Sequence, residues 1–433
     1  MNSREKYSKV AIVQSEKAWA KDITYADIKE MVRKAVNLAG GFKHLIKPGD
    51  TVVIKPNLVV SKDSITGQPL DKEKNGITAD WRVTKAVVEM VRELNSIGKL
   101  YIMEGSAEYK TEDVMKNLNY THEYIREVDG FIGIEEDSGG WQDFNSTSLS
   151  KVNLPKGLLH REYYLNKRYR EADVLISIAC LKSHASAVVT GGIKNLGIGA
   201  TPANIYGASQ TDNSRMNMVP HDNKDGDLHK WIHDYYACRP ADFVVLDGLE
   251  GFQNGPAPGY VNSSSQDKMN MRLVMAGKDA VAVDTTAALV MNWDPSSVAY
   301  LRYLSDSGFG NMDVSKIRVA GNSVDEVRKD FGTLKIPPSG SKKIGTKVAP
   351  RFRVLSFELD DDELRVKLAA ESSVKKVEYY IDNSILSEDL TSLNTKGKAS
   401  MPKLSKGEHT LKICVYDEFF NHSEQTIPFH INS

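Results

Sequence analysis

Short apolar runs alternate with longer amphipathic stretches through the first three quarters of the chain. Val10–Val13, Thr51–Ile54, Leu100–Met103, Val174–Ile178, Ala241–Gly248, Met271–Gly277 and Ile317–Ala320 are compact, apolar and bounded by polar or turn-forming residues. That is a strand signature. Between them, Asp22–Leu38 sets Ile28, Met31, Val32, Ala35 and Leu38 on one helical face, with Thr24 as cap and Gly40–Gly41 as stop. Thr78–Leu94 does the same with Val83, Ala86, Val87, Met90 and Leu94, and a helix capped by Asp279 runs through Met291. Thr111–Leu118 and His122–Val128 read as helical fragments, and Tyr163–Arg170 as an edge strand or hairpin arm. Strand–helix–strand alternation predicts an α/β fold, a mostly parallel or mixed sheet flanked by helices.

The pattern changes at Pro337-Pro338-Ser339-Gly340-Ser341-Lys342-Lys343, a linker composition. Beyond it the helical period disappears. Phe352–Leu359, Leu364–Ala369, Val374–Ile381, Gly397–Met401, His409–Tyr416 and Gln425–Ile431 read as strands, which predicts a separate C-terminal β-sandwich. The expected boundaries are an α/β domain over 1–335, a linker over 336–348 and a sandwich over 349–433.

Composition narrows the classes. The 433 residues carry a formal net charge of -1, so no long-range attraction to nucleic acid is expected. Cys180, Cys238 and Cys414 lie far apart, without metal spacing; no iron–sulfur cluster is expected. No run is long enough for a membrane-spanning segment. The start, MNSREKYSKVAIV, lacks a signal-peptide core. The expected location is cytoplasmic if the sequence is complete, and the cell envelope or secreted if a leader was trimmed.

Chemistry gathers where the apolar runs end. In open α/β sheets, ligands sit at the carboxyl ends of strands. Four such ends carry reactive residues: Lys55 and Asn57; Glu104; Lys182, His184, Lys194 and Asn195; and Asp247, Glu250 and Asn254. Lysines and glycine amides suit an anion, and histidine with carboxylates suits proton transfer. Lys55, Asn57 and Asn254 are therefore expected to bind substrate, and His184, Lys182, Glu104 and Asp247 to carry catalysis. Gly191 and Gly192 belong to a glycine-dense stretch that reads as a loop able to approach a ligand. His229 and His233 lie four apart, on one face if helical, and with Glu250 they form a candidate metal set. No dinucleotide fingerprint or phosphate-binding loop is present.

The first 330 or so residues resemble the bacterial and archaeal family called domain of unknown function 362. The matching segments are Val53–Leu58, Ala172–Ser177, Leu181–His184, Gly192–Gly197 and Val245–Gly248. Thr190-Gly191-Gly192-Ile193-Lys194 also looks like a segment of the nickel-pincer lactate racemase family, with Ile193 in place of an arginine. That likeness implies a cofactor held by Lys194 with Asn195, Gly191 and Gly192; a divalent transition metal is left open. The C-terminal region is similar to immunoglobulin-like modules of secreted bacterial proteins, with Tyr416-Asp417 and Asn421 at late-strand positions. It implies a glycan or envelope partner. Two functions follow as expectations. One is an enzyme acting on a small anionic molecule by lysine binding and acid–base chemistry. The other is a ligand- or glycan-binding envelope protein without turnover.

Overall fold

A computed structural model describes residues 7–431 apart from 208, 214, 216–218, 220–226, 260–263, 333–339, 346–347, 361–362, 387–395 and 401–402. Much of the polar stretch 201–227 and of the expected linker 336–348 thus lies outside the described residues.

The chain opens with strand β1 (Ser8–Gln14) and helix α1 (Tyr25–Leu38). Thr24 caps α1 as expected: its hydroxyl accepts from the Asp27 amide, and Asp27 accepts from the Thr24 amide. Then come β2 (Val52–Pro56), α2 (Trp81–Leu94), β3 (Leu100–Glu104), α3 (Thr111–Asn117), β4 (Gly130–Gly133) and α4 (Ile134–Asp137). Helix α2 starts later than its periodicity suggests because Asp80 caps it, accepting from the Arg82 amide at 2.9 Å. His122–Val128 is not helical. The Tyr124 and Ile125 amides close one turn onto the Thr121 carbonyl, and the chain then descends to β4.

A hairpin follows, β5 (Leu149–Asn153) with β6 (Glu162–Asn166), and the short helix α5 (Lys167–Glu171). Tyr163–Arg170 is therefore a hairpin arm that becomes helical once Asn166 caps it. Strand β7 (Val174–His184) is buried along its whole length. It runs past its apolar part because β8 (Val188–Val189) folds back onto Ser183 and His184. The remainder comprises α6 (Gly191–Gly197), α7 (Ala203–Tyr206), α8 (Asp227–Cys238), β9 (Phe243–Phe252), β10 (Lys268–Met269), β11 (Leu273–Gly277), α9 (Ala280–Val290), α10 (Ala299–Asp306), β12 (Ile317–Gly321) and α11 (Val324–Val327).

The strands order as β12-β1-β11-β9-β7-β2-β3-β4. Along this order all pairings are parallel except those of β11, which runs against its neighbours, and the short β8 and β10 add antiparallel pairings to β7 and β9. Alternate residues feed opposite faces, as the two-residue period of a strand requires. Val53, Leu175, Ala179, Val244 and Met275 join one core with residues of α6, α8 and α9; Val52, Ile54, Ile176, Ile178 and Val245 join the other with α1 and α2. The parallel strands therefore deliver Lys55, Glu104 and Lys182 to one edge.

The C-terminal region is a smaller antiparallel sandwich. β13 (Phe352–Asp360), β14 (Glu363–Ala370) and β17 (Lys396–Ser400) face β15 (Lys376–Ile381), β16 (Ser384–Ile385), β18 (Gly407–Tyr416) and β19 (His422–Ile431). Its core includes Leu364, Val366, Tyr379, Leu411 and Ile413. It is anchored beside β12: Lys376 donates to the Ile317 carbonyl at 2.9 Å, Arg328 donates to Asn421 and the Phe419 carbonyl, and His422 lies 2.8 Å from Asp325. Among the described residues no helix is long and apolar enough to cross a membrane.

Candidate functional site

At the carboxyl edge, Lys55 leaves β2 fully buried and Glu104 leaves β3 equally buried. The Lys55 ammonium pairs with Glu104 and donates to Asn195 Oδ1 at 2.8 Å and the Pro56 carbonyl at 3.0 Å. Glu104 also accepts from the amides of Leu58 and Gly105. Burial pulls Lys55 down and the Glu104 charge opposes it. The charge of Lys55 is thus matched inside the protein. Asn195 is equally committed: it accepts from Lys55 and Asn57, and donates to the Lys55 carbonyl and Ser177 Oγ, both at 3.0 Å. It ties α6 to β2 and β7.

The glycine-dense segment is a buried helix, not the loop expected from its composition. The reason is Asp284, the one carboxylate of α9. It accepts from the amides of Gly192 at 2.7 Å and Ile193 at 3.0 Å, closing the N-terminus of α6. Gly191 sits at φ +57°, and a Cβ there would lie 2.3 Å from the Asp284 carboxyl; one at Gly192 would lie 2.6 Å from Val244. These glycines serve close packing, and the Gly192 amide faces Asp284 instead of open space. Burial pushes Asp284 up to about 7 against the pull of its two amides.

Lys182 donates to the carbonyls of Ile77 at 2.6 Å and Pro256 at 3.0 Å. Burial lowers it to about 8. Lys194, on α6, has no hydrogen-bond partner among the described residues. Burial, followed by Lys182, Lys55 and Arg215, lowers it to about 7. Arg215 donates to the carbonyls of Thr201, Ser106 and Asn213, while its Nη2 is buried without a hydrogen bond, 3.8 Å from Glu135 Oε2. Burial pushes Glu135 up, and the Arg215 charge opposes that shift. The edge therefore holds Lys182 with carbonyl partners alone, Arg215 with one unbonded Nη2, and Lys194 with no partner among the described residues. Asn57 Oδ1 and Thr190 Oγ1 are also buried without partners. Beside Glu135 opens a cavity of about 400 Å³, lined by Tyr109, Glu112, Glu136, Trp141 and Asn213.

Other expected site residues are more dispersed. His184 is buried at the end of β7, its Nδ1 accepting from the Ser186 amide at 3.1 Å. Asp247 accepts from the amides of Asp80 at 2.8 Å and Leu249 at 3.0 Å, and burial pushes it up to about 7. Asn254 donates to Asp267 at 3.2 Å. His229 and His233 do lie on a helix, α8, but turn toward α10. His229 accepts from the Tyr300 amide and stacks on its ring; His233 pairs with Asp234 at 2.7 Å and with Ser307 at 2.9 Å. Burial holds His229 down at about 4. Glu250 is half-buried, and burial raises it. These three are not brought together: among the described residues, no group of three His, Cys, Asp or Glu could hold a metal. Of the residues that sequence likeness implies for a nickel-bearing group, Gly191, Gly192 and Asn195 are engaged in packing and hydrogen bonds within the protein, and Ile193, in place of the arginine, is fully buried in the core. Arg215, Asp284 and Glu135 escaped the sequence reading. A carboxylate inside AVAVDTTAALV was a usable signal for Asp284; Arg215, in an aperiodic polar stretch, offered none.

The chain belongs to the family described as Domain of unknown function (DUF362), whose profile matches residues 52–289. It is 28% identical over 268 residues to the thylakoid-associated protein sll1697 of Synechocystis sp., covering 62% of this chain and 71% of that protein. Among solved structures it is similar to the lactate racemase apoprotein of Thermoanaerobacterium thermosaccharolyticum, at 14% identity and TM-score 0.36, over 67% of this chain and 59% of that one. The fibronectin(III)-like modules of Clostridium thermocellum CbhA match at 13% identity and TM-score 0.18, over 22% of this chain and 52% of theirs. The chain thus spans little more than half the length of either structure.

Proposed function

We propose that this family member is an enzyme acting on a small anionic molecule at the carboxyl edge of its sheet. The observation that carries the reading is the surplus of buried cations. Glu104 answers Lys55, whereas Lys182 meets two carbonyls and no carboxylate, and Arg215 keeps a buried Nη2 without a hydrogen bond. Unmatched buried charge is costly, and an anionic ligand relieves it. The anion-binding role expected of Lys55 accordingly moves to Lys182 and Arg215. His184 and Asp247 are the proton-transfer candidates, Asp247 because burial brings its titration near neutrality.

The test is calorimetric titration with inorganic phosphate and with malonate. Binding is expected, weakened about tenfold or more in Lys182→Met, as loss of one charge-assisted contact implies. Absence of binding by any small anion overturns the reading. Incubation with a library of carboxylate and phosphate metabolites, read by mass spectrometry, then tests turnover. A conversion lost in His184→Gln supports an enzyme. Tight binding without conversion would leave a ligand-binding protein, with the sandwich as its attachment to a glycan or envelope partner.

A further inference from the structure

Lys55, Lys182 and Lys194 share one end of the sheet and differ in how they are completed. Lys55 is 0% exposed and has a carboxylate, an amide oxygen and a carbonyl. Lys182 is 1% exposed and has two carbonyls. Lys194 retains 8% exposure and has no acceptor among the described residues. A buried ammonium without acceptors is strongly disfavoured, whereas the neutral amine in the same place keeps its lone pair at far lower cost. The surrounding charges push the same way, because Lys182, Lys55 and Arg215 are all cationic. Helix α6 holds the residue firmly: Asp284 closes its N-terminus, and Asn195 bolts it to β2 and β7. The result is an oriented, solvent-touching, unpartnered amine beside other cations, which is the setting of a nucleophilic lysine.

We infer that Lys194 condenses with the carbonyl carbon of an anionic aldehyde or ketone to form an imine, with Lys182 and Arg215 holding the anionic group. This rests on reading the edge as an anion site. The amine lone pair attacks the carbonyl carbon; the C–N bond forms as the C=O π bond opens to a carbinolamine. The oxygen then leaves as water, carrying both amine hydrogens, and a proton from solvent converts the imine to an iminium. No oxidant or reductant is consumed. The iminium draws electrons from the adjacent carbon and so labilises a neighbouring C–H or C–C bond. Of the two candidate lysines, Lys182 is the poorer nucleophile because its donors already face Ile77 and Pro256.

The probe is glyoxylate with sodium cyanoborohydride at pH 7, which traps any imine as a stable secondary amine; peptide mapping by mass spectrometry locates it. Lys194 is expected to label at least about tenfold faster than exposed Lys43, Lys110 and Lys406, since at pH 7 an ordinary lysine is almost wholly protonated. Inorganic phosphate should slow labelling at Lys194 and not at the exposed sites. Lys194→Arg should abolish the fast label while phosphate still binds in calorimetry. Labelling of Lys194 in the native protein no faster than of the exposed lysines overturns the inference, and does so without recourse to any variant. If phosphate binds in that case, the anion site stands and the nucleophile falls. If phosphate binds nowhere and labelling ignores it, the anion reading falls, and this proposal with it.

Discussion

The sandwich and the sheet edge each bury a lysine, and the two are opposites. Lys376 is enclosed by partners: it donates to Glu378 at 2.8 Å and the Ile317 carbonyl at 2.9 Å, and lies over the rings of Tyr416 and Phe420. Glu378 in turn accepts from Tyr380 at 2.7 Å and Tyr416 at 2.9 Å. Each charged atom of that pair is answered, and the network fastens the sandwich to β12. Lys194 has comparable burial and no such set. Burial alone does not separate a matched lysine from an unmatched one; the completeness of its partners does.

The largest effect expected from this contrast is at Glu378. Glu378→Ala leaves Lys376 buried without its carboxylate and strips an acceptor from two tyrosines, so a loss of about 3–5 kcal/mol is expected. Urea unfolding followed by tyrosine fluorescence measures it. An unchanged midpoint would mean that the pair is not structural.

At Lys194 the sign reverses. Lys194→Met removes an unanswered amine and is expected to stabilise the protein by about 1–3 kcal/mol below pH 7, while abolishing the labelling described above. The pH dependence follows from a folded value of about 7 against 10.5 for the free side chain. The unfolded chain holds the extra proton between those values, so this group makes stability rise with pH across that window, by up to about 1.4 kcal/mol per unit. Glu135, raised from 4.5 to about 8, acts oppositely: its contribution is present below 4.5 and lost as pH rises. The difference between variant and native protein therefore isolates Lys194. Its stabilising effect should shrink between pH 7 and pH 10; a constant difference would show that Lys194 is charged and paired.

The smallest effect is at the rim of the sandwich contact. His422 is raised above 6.5 by its hydrogen bond to Asp325. Its contribution is fully present below 6.5 and lost as pH rises through the raised value. Because the pair is partly exposed, His422→Gln should cost less than about 1 kcal/mol at pH 6 and nothing at pH 9. Thermal melts at the two pH values compare them.

Local patterns carried most of the fold. The run Val174–Ile178 marked a central strand, Thr24 and Asp279 marked helix starts, and short alternating segments after the linker marked the sandwich. Each depends on residues within a turn or two of one another. The misreadings arose where distant residues intervened. Glycines that read as a loop became α6 because a carboxylate some ninety residues on, Asp284, closes its N-terminus. The paired histidines kept their helical spacing, yet the packing of α8 on α10 turned them toward Tyr300 and Ser307.

The sequence by itself determined which segments are strands, where they end, and hence that Lys55, Glu104 and Lys182 lie at strand ends. Periodicity and capping act over a few residues, so a linear reading captures them. The tertiary structure alone decided how those groups are completed: Lys55 by a carboxylate, Glu104 from the next strand, Lys182 by two loop carbonyls and no carboxylate, and Lys194 by nothing among the described residues. The free energy of a buried charge depends on its complete set of neighbours, and those neighbours come from segments far apart in the chain.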